Sequence, residues 1–93
     1  MAIEVRVPTV LRKHTGGSKA VSGAGATVRE VIDDVDKSNP GLRGAVITDG
    51  GELHRFINMY LNDEDVRFLG SLETPVRDGD VIAILPAVAG GAR

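Results

Sequence analysis

Several stretches of the chain alternate apolar and polar residues with a period of two, a pattern that is typical of half-buried β-strands. The alternation is clearest at residues 3–7, 54–62 and 81–85, and shorter versions occur at residues 19–22 and 66–68. On this pattern the residues that face the core are Ile3, Val5, Val7, Val21, Ile57, Met59, Leu61, Ile82 and Ile84. The sequence therefore predicts a sheet of four to five strands.

One segment, residues 27–37, has the periodicity of an amphipathic α-helix rather than of a strand. Its apolar residues recur at i, i+3, i+4 and i+7, which places them in a single stripe along one side. They are Val28, Val31, Ile32 and Val35. Thr27 and Glu30 have the spacing of a capping box, in which each side chain accepts a hydrogen bond from the other residue's backbone N–H. The Asn-Pro-Gly sequence at residues 39–41 ends the predicted helix.

The remaining segments lack a clear period and are predicted to be connections. Residues 10–18, which include Gly16 and Gly17, are expected to form a loop or a wide hairpin turn, and residues 62–65 a turn. A single helix with one apolar stripe covers one face of a mixed sheet, so the other face stays open to water or to a partner. This order of elements indicates an α+β fold of the β-grasp type, with the first and last strands parallel at the sheet centre. Residues 1–86 would form the domain, and residues 87–93 a flexible C-terminal tail.

Size and composition exclude several classes of protein. At 93 residues the chain holds one domain and buries only about 60–65 % of its unfolded surface, which leaves little room for a deep substrate cleft. The absence of cysteine excludes disulfides, thiolate metal sites and thiol catalysis. No apolar run approaches the length of a membrane span, no signal peptide is visible, and a net charge of −2 gives nucleic acid no electrostatic attraction. We therefore expect a cytoplasmic monomer that binds neither membranes nor nucleic acid.

Few residues of the domain carry chemistry of their own. His14 and His54 lie far apart in the sequence, without the spacing that a metal site needs, so we expect no metal site and no catalytic residue. Phe56, Tyr60 and Leu85 would lie on the face of the sheet that the helix leaves open. Two aromatic rings and a leucine there would form a modest docking surface for a partner, although single exposed apolar residues are also common and need no such role.

The tail has an unusual composition for a frayed terminus. The five residues that follow Pro86 carry neither a charge nor a bulky side chain, whereas disordered tails are usually polar. They are Ala87, Val88, Ala89, Gly90 and Gly91. Five extended residues span about 17 Å, enough to enter a narrow tunnel in another protein, and a Gly-Gly pair fits where any side chain would clash. These are properties that a carrier needs.

Four segments of the chain together resemble the ThiS/MoaD family of ubiquitin-like sulfur carriers. The segments are residues 56–62 (Phe-Ile-Asn-Met-Tyr-Leu-Asn), 78–80 (Asp-Gly-Asp), 82–86 (Ile-Ala-Ile-Leu-Pro) and 87–91. Within that family, residues 11–17, 54–56 and 62–68 are most similar to the CysO-like carriers of a cysteine-biosynthesis route. The resemblance extends from Ile3 to Gly91 and implies the ubiquitin-like form of the β-grasp fold.

The resemblance also implies that the chain is not an enzyme and binds no cofactor itself. A ubiquitin-activating-type adenylyltransferase would use ATP to activate the Gly91 carboxylate, and a sulfur donor would convert the adenylate to a thiocarboxylate. A PLP-dependent cysteine synthase would then accept the sulfur, and a JAMM-type zinc metallopeptidase would release cysteine. ATP, PLP and zinc thus belong to the partner enzymes. Relatives of this family also supply sulfur for thiamin, molybdopterin and secondary metabolites, so another acceptor enzyme stays open.

The chain departs from the family pattern after Gly91, because active members end there and this chain continues with Ala92 and Arg93. An amide at Gly91 cannot be adenylated, so we expect a peptidase such as the JAMM-type enzyme to cut between Gly91 and Ala92. If the dipeptide stays, the chain would be a paralogue that carries no sulfur. Two other interpretations are a ubiquitin-like modifier that forms isopeptide bonds through Gly91 and a plain β-grasp binding module.

Overall fold

A computed structural model of the chain describes residues 2–86 and contains one mixed, five-stranded sheet. The strands are β1 Ile3–Arg6, β2 Ala20–Gly23, β3 Ile57–Leu61, β4 Glu64–Asp65 and β5 Val81–Pro86. Their spatial order is β2-β1-β5-β3-β4, with β1 and β5 parallel and the other neighbouring pairs antiparallel. The expected β-grasp arrangement, in which the first and last strands pair in the middle of the sheet, is confirmed.

Helix α1, Val28–Ser38, covers the inner face of this sheet, and a short helix α2, Leu42–Val46, follows it. The predicted stripe on α1 is confirmed, because all four of its apolar residues are buried. The predicted inward strand residues are buried in the same cluster, apart from Val21, which is half-buried and packs against it. Among residues 2–86 no helix is long and apolar enough to cross a membrane.

Strand β2 and helix α1 approach each other closely at Gly23. A Cβ atom at this position would lie 2.6 Å from Val35 Cγ2 and 3.2 Å from Val31 Cγ1. Real Cβ atoms do not come so near to other carbons, so the contact requires a residue without a side chain. The glycine therefore sets how tightly the edge strand packs on the helix.

The predicted helix cap is confirmed in one half and shifted in the other. Thr27 Oγ1 accepts a hydrogen bond from the Glu30 N–H at 3.2 Å, as expected for an N-cap. The Glu30 carboxylate, however, accepts from the Ala26 N–H at 2.9 Å rather than from that of Thr27. The chain enters the helix along residues 74–76, to which the Val28 N–H and the Ala26 carbonyl are bonded. This pairing presents the Ala26 N–H to the carboxylate, and sequence spacing does not reveal it.

The segment expected to be a loop at residues 10–18 is instead a seven-residue 3₁₀-helix, Thr9–Thr15. The prediction was wrong because the Gly16–Gly17 pair determines only where the helix ends, and Gly16 adopts a φ of 65°. Leu11 is buried and anchors the segment to the core. Thr15 is buried as well, and its hydroxyl lies 3.2 Å from the Arg12 carbonyl and 2.9 Å from the Ser18 carbonyl.

The short strand expected at residues 66–68 is also a 3₁₀-helix, Val66–Phe68, and β4 lies before it at Glu64–Asp65. The turn between β3 and β4 is correspondingly shorter, since Asn62 and Asp63 alone have positive φ there, at 51° and 73°. The Asp65 carboxylate then accepts from the Arg67 N–H at 2.9 Å and turns the chain out of the strand. An apolar-polar-apolar triplet fits either structure, so its pattern could not separate them.

A candidate partner-binding surface around the last strand

Strand β5 holds the chain firmly at the point from which residues 87–93 continue. It pairs with β1 on one side and with β3 on the other. Ile82 and Ile84 anchor it to the core, where both side chains are almost fully buried. The predicted carrier and processing residues, Ala87, Val88, Ala89, Gly90, Gly91 and Ala92, lie outside the described residues. The structure therefore defines the base of the tail and the surfaces around it.

A side-chain bracket fixes the start of β5. Asn62 Oδ1 accepts from the Val81 N–H at 2.9 Å, and Asn62 Nδ2 donates to Asp80 Oδ1 at 3.1 Å. Asp80 Oδ2 also accepts from the Arg77 N–H at 2.8 Å. The Arg77 backbone bond first, and the Asn62 bond second, hold the pKa of the Asp80 carboxyl below its ordinary value. Sequence reasoning missed this bracket, since its residues lie in two turns that are distant in the chain.

Two of the three predicted docking residues lie on the outer face of the sheet, which the helices leave uncovered. Across β3 and β5, Tyr60 pairs with Ala83 and Leu85 pairs with Asn58, so all four side chains point to that face. Leu85 is 45 % exposed, whereas Tyr60 is half-buried. Their position agrees with the expected open face, and their docking role stays a prediction.

Phe56, the third predicted docking residue, does not belong to the strand. It lies in a turn that the Ile57 N–H closes on the His54 carbonyl at 2.9 Å, and β3 begins only at Ile57. The ring is 47 % exposed and lies 5.1 Å from the Arg55 guanidinium carbon, a cation–π contact. The expectation that β3 begins at residue 54 and displays Phe56 on its face was therefore wrong.

Exposed apolar side chains that sequence reasoning did not single out lie beyond β4. Phe68 is 84 % exposed, and the next residue, Leu69, is also exposed. Arg67, which precedes them in the chain, is tied to β3 by its side chain. Its guanidinium donates to the Ile57 carbonyl at 2.6 Å and to Asn58 Oδ1 at 2.8 Å. The interpretation of residues 66–68 as a strand obscured this exposure, because it assigned the apolar residues to a sheet.

A groove of about 480 Å³ lies on the outer face beside β5. Its lining residues come from β1 and the two residues after it, the 3₁₀-helix, the start of β2 with the residue before it, and β5. They are Glu4, Arg6, Val7, Pro8, Arg12, Lys19, Ala20, Ala83, Ile84 and Leu85. In the paired strands, Ala20 and Ala83 flank Arg6 on both sides. The small side chains of the two alanines beside the long Arg6 side chain create the depression. The 3₁₀-helix, which the sequence pattern did not predict, forms another of its sides.

Neither histidine takes part in a metal-binding cluster. Within residues 2–86 no group of three or more His, Asp or Glu side chains is arranged to hold a metal ion. The His14 ring lies against the backbone of Gly41, where a Cβ atom would come within 2.8 Å of Nδ1. His54 Nδ1 is buried and has no hydrogen-bond partner in the part of the chain described. These positions indicate packing roles.

The chain is similar to proteins of known family over almost its whole length. A family model described as the ThiS family matches residues 5–91. The sulfur carrier protein CysO of Mycobacterium tuberculosis is 50 % identical over 93 residues, which cover 98 % of this chain and all of that protein. A chain in the crystal structure of the Amycolatopsis orientalis BexX/CysO complex superposes with a TM-score of 0.90 at 57 % identity, covering 97 % of this chain and all of that one. Small archaeal modifier protein 1 of Methanosarcina acetivorans gives a TM-score of 0.82 at 30 % identity, with 97 % of this chain and 96 % of that one covered.

Proposed function

Because the chain belongs to the ThiS family, we propose that it is a sulfur carrier whose Gly91, freed of Ala92 and Arg93, becomes a thiocarboxylate. The observation that carries the proposal is the extent of the similarity. The family match includes Gly90 and Gly91, and the identity to CysO covers 98 % of the chain. The carrier would therefore share with its relatives both the domain and the reacting end of the tail.

Activation would proceed in two steps, adenylation of the Gly91 carboxylate and displacement of AMP by sulfur. The Gly91 carboxylate attacks the α-phosphate of ATP and releases pyrophosphate, which leaves a mixed anhydride with AMP. A sulfur donor at the oxidation level of sulfide then attacks the acyl carbon, AMP leaves, and the thiocarboxylate remains. An adenylyltransferase of the ubiquitin-activating type would perform the first step, as the family resemblance implies.

The thiocarboxylate suits a protein that has no cysteine. Charge delocalisation over oxygen and sulfur makes a thioacid more acidic than a Cys thiol, whose pKa is about 8.5. The group is therefore ionised and nucleophilic at neutral pH without a neighbouring base. The chain supplies a tail and a docking surface and is not itself an enzyme, while ATP, PLP and zinc act in its partners.

Cysteine biosynthesis is the pathway we propose, because CysO is the named carrier among the relatives at 50 % identity. A PLP-dependent cysteine synthase would join the thiocarboxylate sulfur to its amino-acid substrate, and an S-to-N acyl shift would leave cysteine in amide linkage to Gly91. A JAMM-type metallopeptidase would hydrolyse that amide, which releases cysteine and regenerates the Gly91 carboxylate. The same chemistry in a thiamin, molybdopterin or secondary-metabolite pathway would differ only in the acceptor enzyme. The cytoplasmic location and monomeric state expected from the sequence stay predictions.

Removal of Ala92 and Arg93 precedes activation in this proposal, because the Gly91 carbonyl of the longer chain is an amide. The JAMM-type peptidase that releases cysteine from Gly91 would also cleave this bond, since both products leave the same carboxylate. If incubation with that peptidase leaves the full mass of residues 1–93 unchanged, the maturation step is refuted.

Intact mass spectrometry tests the central step. A chain that ends at Gly91 is incubated with the adenylyltransferase, ATP and sulfide, and we expect its mass to rise by the difference between sulfur and oxygen. The matched control is the chain of residues 1–93, which should gain sulfur only after the peptidase is added. If the shortened chain forms neither adenylate nor thiocarboxylate, the proposed function is wrong.

A second candidate function is protein modification, which the likeness to small archaeal modifier protein 1 favours. A lysine amine of a target protein would then attack the acyl carbon of the same Gly91 adenylate, which releases AMP and forms an isopeptide bond. Mass spectrometry of trypsin-digested cell protein separates the two functions. Trypsin cuts this chain after Arg77 and next after Arg93, so a modified lysine would carry residues 78–91 as a branch. Such branches on lysines of other proteins that vanish when the gene is deleted would support the modifier, whereas thiocarboxylate on the chain without them supports the carrier.

A further inference from the structure

The groove beside β5 concentrates positive charge on an otherwise acidic chain. Arg6, Arg12 and Lys19 line it together with one carboxylate, that of Glu4, whereas the whole chain has a net charge of −2. Glu4 Oε2 lies 2.8 Å from Arg6 Nε and neutralises that guanidinium in part. The charge at Arg12 and Lys19 stays uncompensated, since within residues 2–86 neither forms an ion pair.

The cations of the groove surround an apolar floor. Arg12 Nε donates to the Val7 carbonyl at 3.1 Å, which holds the guanidinium beside β1. Its terminal nitrogens donate to no other atom of the part of the chain described. The floor consists of Pro8, Ala20, Ala83 and Leu85. A ligand that fits this surface combines carboxylates with an apolar group, because guanidinium groups bind carboxylates in a bidentate manner and an apolar group would cover the apolar floor.

Given the proposed function, the position of the groove near the base of the tail indicates which partner protein would carry such a ligand. Leu85 lines the groove and precedes by one residue the end of β5 at Pro86. Residues 87–91 span about 17 Å when extended. An enzyme that reacts with Gly91 must place its active site within that distance of Pro86, so the groove lies within reach of its surface while the tail is inserted.

We propose that the groove docks an acidic segment of the adenylyltransferase that activates Gly91, with carboxylates on Arg12 and Lys19 and an apolar side chain against Leu85. Complementary charge speeds the encounter of two proteins and fixes their orientation more than it adds affinity. The groove thus guides the enzyme to the base of the tail. This inference rests on the proposed function.

Charge reversal tests the docking site. Arg12→Glu and Lys19→Glu are measured singly and together by calorimetric titration with the adenylyltransferase at low and physiological salt. We expect the double variant to weaken binding by about tenfold or more at low salt and to lose most of the salt dependence of the wild type. Lys37→Glu is the matched control, since Lys37 is exposed on α1, away from the groove, and should change binding by less than about twofold.

Folding is controlled within the same set. Arg12→Glu also removes the bond to the Val7 carbonyl, so thermal unfolding of each variant is recorded. Lys19 is exposed and forms no side-chain hydrogen bond in the part of the chain described, so Lys19→Glu tests the groove without such a loss. Equal binding by Lys19→Glu and Lys37→Glu, or no binding of wild type to the enzyme, overturns the docking site.

Sulfur transfer separates this inference from the proposed function. In the mass assay, the double variant should raise the KM for the carrier and reach the wild-type kcat, because the tail is unchanged. If the wild-type carrier gains sulfur and the double variant has the same KM, the docking role of the groove is refuted and the proposed function stands. Wild type that never gains sulfur refutes the proposed function, and the titration still decides the groove. Direct binding of ATP to the carrier that Arg12→Glu abolishes would assign the groove to a phosphate ligand and overturn the acidic segment.

Discussion

The two faces of the sheet differ in what determines them. On the inner face, strand residues such as Ile82 and Ile84 are buried in the same core cluster as the apolar stripe of α1. On the outer face, Leu85 and Arg6 are exposed, and a groove with cationic walls takes the place of a packed layer. The buried residues of the inner face determine the fold, whereas the exposed residues of the outer face contribute little to it and are available to contact a partner. Substitutions at neighbouring positions of one strand can therefore separate stability from recognition.

The largest contrast is expected between Ile84 and Leu85, which are adjacent on β5 and point to opposite faces. Ile84→Ala removes a buried side chain and should lower the free energy of unfolding by about 2–5 kcal/mol. Leu85→Ala should lower it by less than about 1 kcal/mol and instead weaken binding to the adenylyltransferase. Urea unfolding at constant pH measures both variants. Similar losses of stability would show that the outer face is part of the core.

The next contrast concerns two glycines. Gly23→Ala places a Cβ 2.6 Å from Val35 Cγ2, so strand and helix must separate, and we expect a loss of about 1–3 kcal/mol. Gly44, inside α2, has no atom within 4 Å of the same added carbon, and Gly44→Ala should stabilise by about 0.5–1 kcal/mol. Thermal unfolding of the two variants checks the signs. A neutral Gly23→Ala would mean that the contact between β2 and α1 adjusts freely.

A smaller effect is expected at the bracket that begins β5. The folded domain lowers the pKa of Asp80 through its bonds to the Arg77 N–H and Asn62. This contribution to stability is present above the pKa of the unfolded chain, about 4, and is lost as the pH falls through the lower folded value. Asp80→Asn should reduce the stability at pH 7 and flatten its decline between about pH 5 and pH 2. An unchanged pH profile of the melting temperature would exclude Asp80 as a contributor.

The smallest effects on stability are expected at the aromatic residues around the outer face. Phe56→Ala and Tyr60→Ala should leave the domain folded and weaken binding to the adenylyltransferase. Phe68→Ala, at a more exposed ring beyond β4, is the matched comparison for a residue outside the predicted docking surface. Circular dichroism and titration with the enzyme test this. Unfolding of either Phe56→Ala or Tyr60→Ala would show that the ring belongs to the core.

The inner face could be predicted from the sequence because its information is local and repeated. The stripe on α1 and the alternation in β1, β3 and β5 each contain several apolar residues in one period. The 3₁₀-helices Thr9–Thr15 and Val66–Phe68 were predicted wrongly, because the first shows no clear apolar period and the second is a triplet that fits a strand equally well.

The candidate site likewise has one part that a local sequence signal predicts and another part whose residues meet only in the folded chain. Gly90 and Gly91 could be predicted as the reacting end because a Gly-Gly pair after a strand-ending proline is a local signal, and that role stays a prediction. The groove was missed because it requires Arg12 of the 3₁₀-helix, Lys19 before β2 and Leu85 of β5 to meet in space. The Asn62–Asp80 bracket joins residues that are 18 positions apart, and no pattern of one segment contains such a pairing.

The place of β5 in the sheet also has a consequence for biosynthesis. It is the last strand to be translated among those described, yet it lies between β1 and β3 and gives both a hydrogen-bonded neighbour. Long-range strand pairing of this kind forms late, after the loop that it closes has been made. A chain terminated before residue 81 would hold two separate strand pairs and no continuous sheet. Translation that reaches the tail and closure of the domain are thus coupled, so an incomplete product offers the proposed partner enzymes neither Gly91 nor a folded body.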